Sequence, residues 1–99
     1  MIVKMAEFHV TPSEQEAFEV AMTPALQLIT AKAVGMRGYA FMRCIESPKR
    51  YLLDVQWETM DDHIVTYRQS PERDKWRALV SRFYAHPPAM EHFTVVAQS

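Results

Sequence analysis

The sequence predicts an α+β fold whose elements follow in the order βαββααβ. Apolar residues alternate with a period of two over residues 39–58, which indicates paired strands. In the segments before and after, apolar residues recur at steps of three and four, which indicates helices. Because 48% of the 99 residues are hydrophobic and only two are glycine, the chain is predicted to form one compact domain.

The first strand leads directly into a helix. Residues Ile2 to Val10 are rich in β-branched and aromatic side chains, which favour strands. At the following Thr11-Pro12-Ser13-Glu14, the sequence predicts a helix start. Thr11 would be the N-cap, Pro12 the first helical residue and Glu14 the partner in a capping box.

This first helix is expected to have one apolar face and one kink. Pro24 lacks a backbone N–H and clashes with the preceding turn, so it should bend the helix near residues 20–23 without ending it. Gly35 and Gly38 bracket the expected end. The predicted core face consists of Phe18, Met22, Ala25, Ile29 and Ala33.

A hairpin is predicted next, with its turn at residues 47–50. One face of its second strand is apolar throughout, because it carries Tyr51, Leu53, Val55 and Trp57. The opposite face of the hairpin includes Met42, Cys44 and Leu52. A sheet face in contact with solvent is normally more polar than this.

The second half of the chain is predicted to add two short helices and a closing strand. Thr59 and Asp62 begin the first of these helices, and Ser70-Pro71-Glu72 begins the second. The second helix ends at His86-Pro87-Pro88, and Met90 to Ala97 forms the last strand. The predicted inner faces are Met60, His63, Ile64 and Tyr67 on one helix and Trp76, Leu79, Val80 and Phe83 on the other.

This order of elements predicts a ferredoxin-like, four-stranded antiparallel sheet with helices on one face. The first and last strands are then neighbours, and one register sets His9 opposite His92. The two histidines could form a functional pair. We favour the alternative that they are partly buried and make local hydrogen bonds. We expect the uncovered face to pack on a second copy around a two-fold axis, forming a homodimer. That face carries Val3, Met5, Met42, Cys44 and Leu52.

Charge and composition argue against several classes of function. The 11 basic and 12 acidic residues are interspersed, which gives no electrostatic surface for nucleic acid or for an anionic membrane. Cys44 is the only cysteine, which fits a reducing cytoplasm, and no apolar run is long enough to span a membrane. Since the chain has neither metal-ligand spacing nor a glycine-rich phosphate loop, no metal and no nucleotide cofactor are expected.

Aromatic and cationic residues of the second half are the candidates for a site. Trp57 ends the apolar strand face. His63 and Tyr67 lie on the helix that follows, and Trp76 and Arg77 come one helix later. In a ferredoxin-like fold these side chains can reach the space between sheet and helices, where a flat aromatic ligand would fit. Both tryptophans also suit core positions, whereas Arg77 lies at the edge of its helix's apolar stripe.

These residues carry a resemblance to a known family. Gln56-Trp57-Glu58, the helix start Ser70-Pro71-Glu72, the Trp76-Arg77 helix and the order of elements together resemble the antibiotic biosynthesis monooxygenases, which are dimeric α/β-barrel proteins. The resemblance spans nearly the whole chain, so residues 1–99 are interpreted as a single domain of this type. It implies a dimeric α/β barrel and oxygenation of phenolic substrates by dioxygen without metal or flavin.

The resemblance also implies roles for individual residues. In quinone-forming members, a tryptophan ending the third strand and an arginine twenty residues later are functional, and they correspond to Trp57 and Arg77. An asparagine and a tyrosine of those members correspond to Leu53 and His63. Leu53 lacks the hydrogen-bonding group, whereas His63 could replace the tyrosine as a proton acceptor. The residues that the haem-degrading branch requires are missing, which argues against haem degradation.

The resulting prediction is a cytoplasmic, homodimeric monooxygenase that needs no cofactor. It would oxidise a small electron-rich aromatic or quinol-type substrate with dioxygen, using His63, Arg77 and Trp57 as catalytic residues. The alternative is a non-catalytic dimer of the same fold that binds a small ligand or has a structural role. The predicted substrate contacts are Tyr67, Phe8, Leu53 and Phe83.

Overall fold

Four antiparallel strands form one sheet, and helices pack on one of its faces. The computed structural model describes residues 1–32, 35–59 and 71–99. Within these ranges, a short 3-10 turn at Ser81–Phe83 directly follows the helix Pro71–Val80. No helix among the described residues is long and apolar enough to cross a membrane. The elements are β1 (Ile2–His9), α1 (Gln15–Lys32), β2 (Met36–Arg43), β3 (Arg50–Trp57), α2 (Pro71–Val80) and β4 (Ala89–Thr94).

The strand order confirms the predicted ferredoxin-like fold. The sheet runs β2-β3-β1-β4, so β1 lies between β3 and β4 and is antiparallel to both. The apolar face of β3 is buried as the alternation predicts, with Tyr51, Leu53, Val55 and Trp57 all at most 4% exposed. The helix that the sequence predicts from Thr59 onward falls mostly on residues 60–70, which lie outside the described residues.

The core lies between the sheet and α1, and Phe18 is at its centre. Its ring is fully buried and lies 5.0 Å from the Tyr51 ring and 5.8 Å from the Phe8 ring, measured between centroids. Met22 and Ala25 on the same helix face are also fully buried, which confirms this part of the predicted core face. The helix continues past Pro24, as the resumed apolar period predicts.

The start of α1 differs from the prediction. The backbone N–H of Glu14 donates to the Thr11 carbonyl over 3.1 Å, and Ser13 has a φ of 72°. Since a residue at positive φ cannot be part of an α-helix, residues 11–14 form a separate turn and the helix begins at Gln15. The Thr11 N–H is held by the Phe83 carbonyl at 3.0 Å, so the predicted capping box does not form.

The predicted pairing of His9 with His92 is wrong. In the sheet, His92 stands opposite Lys4, whereas His9 stands opposite Arg50 on the other neighbouring strand. His9 packs against His86 instead, with 4.5 Å between ring centroids, because the chain after α2 crosses next to the end of β1. The register between β1 and β4 therefore separates the two histidines that the sequence placed together.

The sheet face opposite the helices is partly exposed in the single chain. Met42 is 42% exposed and Phe93 49% exposed, and the strand registers place both on the face that also carries Val3, Met5 and Leu52. We refer to these five residues as the open face. Exposed large apolar side chains on a sheet face are typical of an interaction site.

Candidate functional site

A cavity of about 590 Å³ lies on the helix side of the sheet, next to α2. Its floor is the buried face of β1 and β3, and α2 together with residues 84–88 forms its wall. This volume is within the range of pockets that bind small organic molecules, roughly 300–1,000 Å³. The aromatic and apolar lining includes Phe8, Leu53, Val55, Trp57, Trp76 and Met90.

The structure brings together four of the seven residues predicted for the site. Trp57 and Arg77 line the cavity, Trp57 from the end of β3 and Arg77 from α2. Phe8 and Leu53 line its floor from neighbouring strands. Trp57 is only 1% exposed, so it is packed into the core at the place where it lines the cavity.

The sequence predicts three further site residues, His63, Tyr67 and Phe83. His63 and Tyr67 lie outside the described residues. Phe83 is part of the core, because the 3-10 turn after α2 brings its ring centroid to 6.0 Å from that of Phe18. Phe83 is not among the lining residues of this cavity, and its role as a substrate contact stays a prediction.

Tyr84 is a cavity residue that no pattern in the sequence predicts. It follows the 3-10 turn and forms an isolated bridge with Val10, while the next N–H, that of Ala85, donates to the His9 carbonyl over 2.7 Å. These contacts hold the segment after α2 against the end of β1. The Tyr84 side chain consequently lines the same cavity as Trp57 and Arg77.

The Tyr84 phenol is a hydrogen-bond donor over the whole physiological pH range. Burial raises its pKa to about 12, although a hydrogen bond from Trp76 and the positive charge of Arg77 both act to lower it. The indole N–H of Trp76 can only donate, so it occupies the phenol oxygen as an acceptor. The Tyr84 O–H can therefore be donated to a ligand in the cavity.

Cationic side chains line the cavity without any carboxylate among its described lining residues. Lys4 contributes from β1, and Arg73 and Arg77 contribute from α2. The imidazole of His86 lines the same space from the loop that follows. A flat aromatic ligand could pack its ring between the aromatic walls. If the ligand is an anion, its negative charge could face the guanidinium groups.

The fold and the site together define a ferredoxin-like α+β protein with a small-molecule-sized pocket between the sheet and α2. The sequence model of the antibiotic biosynthesis monooxygenase family matches residues 1–79. Because this match covers more than half of the chain, the protein belongs to that family, in agreement with the resemblance read from Trp57, Arg77 and their spacing.

Individual relatives support the family and the fold. An uncharacterised Bacillus subtilis protein, YczJ, is 38% identical over 96 residues, which cover 94% of this chain and 97% of that protein. A crystal structure of a Bordetella bronchiseptica protein assigned to the antibiotic biosynthesis monooxygenases has a TM-score of 0.91 and 40% identity, with 97% of each chain covered. SnoaB, a cofactor-independent oxygenase from Streptomyces nogalater, shares the fold with a TM-score of 0.84 at 12% identity, covering 98% of this chain and 94% of SnoaB.

Proposed function

We propose that this protein is a monooxygenase that uses dioxygen and no metal or flavin to oxidise a small electron-rich aromatic or quinol-type substrate. The observation that carries the proposal is the cavity itself, in which Trp57, Arg77 and the Tyr84 phenol share one aromatic-walled space. The proposal takes residues 1–99 as one domain that acts in the cytoplasm. Membership of the family supports it.

The chemistry needs a base, an anion-stabilising group and an apolar site. In the proposed reaction, His63 removes a proton from the substrate, and Arg77 stabilises the resulting anion. That carbanion or phenolate passes one electron to dioxygen, and the substrate radical and superoxide combine to a peroxide anion. The protonated His63 returns its proton to this anion and gives a hydroperoxide. Loss of water then leaves a carbonyl, so that a CH₂ group and O₂ become C=O and H₂O. His63 is assigned as the base from the resemblance alone, since it lies outside the described residues.

The proposal includes a homodimer formed through the open face. The exposed Met42 and Phe93 side chains would be buried against the same face of the second copy. The cavity lies on the other side of the sheet, so pairing through the open face leaves it accessible. Two sheets packed in this way form the dimeric α/β barrel that the sequence predicts.

Quinone formation tests the proposed activity. Anthrone- and naphthol-type compounds are supplied with oxygen, and quinone absorbance and oxygen uptake are followed together. We expect turnover by the metal-free protein, with Arg77→Ala slowed roughly a hundredfold because the anion loses its counter-charge. His63→Ala should be slowed by a similar factor, roughly a hundredfold or more, because a general base is removed.

Lys75→Ala is the matched control, because Lys75 is exposed on α2 and does not line the cavity. Its turnover should equal that of the unaltered protein. The proposal is wrong if a broad panel gives no turnover, or if both Arg77→Ala and His63→Ala retain full activity. Ligand binding without turnover would instead support the non-catalytic binding dimer.

A further inference from the structure

Two arginines stand one helical turn apart on α2 and line the same cavity. Arg73 and Arg77 are separated by four residues, so their side chains lie on one face of the helix. Arg77 is exposed and Arg73 is partly buried, so both side chains that line the cavity are also in contact with solvent. Like charges at this spacing repel each other and destabilise the helix.

Neither of these guanidinium groups has a carboxylate partner within the described part of the chain. Asp74 is three residues before Arg77, yet the two form no ion pair. Other arginines away from the cavity do form such pairs: Arg37 with Glu58, Arg43 with Glu19, and Arg50 with Glu7. Among the residues that the structure describes, the two arginines at the cavity therefore differ from the ion-paired arginines elsewhere in the fold.

The other polar side chains of the cavity include groups that can donate hydrogen bonds. The Tyr84 phenol stays protonated and can donate, and the Ser81 hydroxyl lies on the same wall. No aspartate or glutamate is found among the described lining residues. A guanidinium group can bind both oxygens of a carboxylate in bidentate fashion, which a lysine ammonium group cannot do. The cavity is thus suited to a ring that carries a full negative charge of its own.

We propose that the substrate of this site is an aromatic carboxylate, and that Arg73 and Arg77 together bind its carboxylate at the cavity mouth. The aromatic ring then lies inward, against Phe8, Trp57 and Trp76. Arg73 is the residue that determines the preference for an aromatic carboxylate over the same ring system without a carboxylate. The identification of this ligand as a substrate rests on the proposed monooxygenase function, whereas its binding does not.

Intrinsic fluorescence tests the proposal directly, because both tryptophans of the chain line the cavity. The probes are 1-hydroxy-2-naphthoate and 1-naphthol, which share the ring system and differ in the carboxylate. We expect the naphthoate to bind at least about tenfold more tightly than the naphthol, and this preference to weaken as salt is added.

Arg73→Gln and Lys75→Gln form a matched pair, since each removes one positive charge from α2 and only Arg73 lines the cavity. Arg73→Gln should lose about tenfold in naphthoate affinity with little change for naphthol, and Lys75→Gln should bind both as the unaltered protein does. The melting temperature of ligand-free Arg73→Gln should be equal or higher, because the repulsion between the arginines is removed.

Equal binding of the two probes, or no binding of either, would overturn the proposal. An unchanged naphthoate affinity in Arg73→Gln would overturn the role of Arg73. If Arg73→Gln fails to fold, the ratio of affinities in the unaltered protein and its salt dependence still decide the question. Preference for the naphthoate without quinone formation from any substrate would support the carboxylate site and count against the monooxygenase function. Turnover of neutral naphthols without tighter binding of the naphthoate would support the monooxygenase function and count against the carboxylate site.

Discussion

Tyr84 lies in the cavity because of backbone contacts between residues that are far apart in sequence. Its bridge to Val10 and the hydrogen bond from Ala85 to His9 join the end of α2 to the end of β1. No local pattern around residues 81–88 predicts these contacts, since pairing across more than 70 residues leaves no periodic signal. Trp57 and Arg77, by contrast, could be predicted as site residues from the sequence. Strand alternation places Trp57 on the inner face of the sheet, and helix spacing places Arg77 at the edge of the apolar stripe of its helix.

Glu7 is the centre of a polar cluster at the edge of the open face. Its carboxylate accepts a hydrogen bond from Arg50 Nε at 2.8 Å and lies 2.8 Å from His9 Nε2. The hydrogen bond from Arg50, followed by that with His9, holds the pKa of Glu7 below the ordinary value of 4.5. The arrangement stabilises the ionised carboxylate in the folded state.

This lowered pKa predicts a pH-dependent effect of Glu7→Gln. A carboxyl group with a depressed pKa contributes its stability fully above the unfolded pKa, and loses it as the pH falls through the folded pKa. Urea unfolding should therefore show Glu7→Gln less stable than the unaltered protein at about pH 7, with the difference shrinking below about pH 4.5.

Glu14→Gln serves as the control for this measurement, because the Glu14 side chain is exposed and has no ion-pair partner among the described residues. Its stability difference from the unaltered protein should be small at both pH values. A Glu7→Gln difference that stays constant from neutral to acid pH would contradict the prediction.

At the scale of elements, α1 shows how tertiary packing overrides a local break. Pro24 cannot donate to the carbonyl four residues earlier, yet the helix runs from Gln15 to Lys32 without interruption. Phe18, Met22 and Ala25 are fully buried on both sides of the proline, and their burial holds the helix together. Pro24 itself is exposed, so its ring displaces no core side chain.

Replacing this proline is predicted to stabilise the protein. Pro24→Ala restores a backbone N–H in the helix interior and removes a steric clash, so we expect the free energy of unfolding to rise by about 1 kcal/mol or more. Thr23→Ala, at the exposed neighbouring position, should change it by about 0.5 kcal/mol or less. Chemical denaturation measures both. Equal or lower stability of Pro24→Ala would show that the proline fits this helix better than its chemistry suggests.

The remaining elements were predicted unequally well. The alternation of β3 identified all four of its buried residues, because a strand with one face in the core must bury every second side chain. The start of α1 was misplaced by several residues, since Thr11 and Glu14 have the composition of a capping box. A hydrogen bond from Thr11 to the Phe83 carbonyl, formed with a distant segment, decides the local backbone there.

For the whole molecule, the two faces of the sheet have different functions in our proposals. One face holds the core and the cavity. The open face on the other side is proposed to pack against a second copy of the chain. The unaltered protein should therefore behave as a particle of twice the chain mass of 11.5 kDa in light scattering after size exclusion.

Phe93→Asp should shift this mass toward that of one chain, because it places a charge in the proposed interface. Val96→Asp is the matched control, since Val96 is 92% exposed and lies beyond the end of β4. It should leave the mass unchanged. A single-chain mass for the unaltered protein would contradict the dimer, and circular dichroism of Phe93→Asp would verify that the variant is folded.

The α+β class, the order of the elements and most of the core can be predicted from the sequence, because helix and strand periodicities are local and follow from which side chains must leave water. Trp57 and Arg77 can be predicted in the same way. Long-range contacts set the strand register that separates His9 from His92, the start of α1, and the meeting of Tyr84, Arg73 and Arg77 at one cavity. These features depend on hydrogen bonds and packing between distant segments, which leave no periodic trace along the chain.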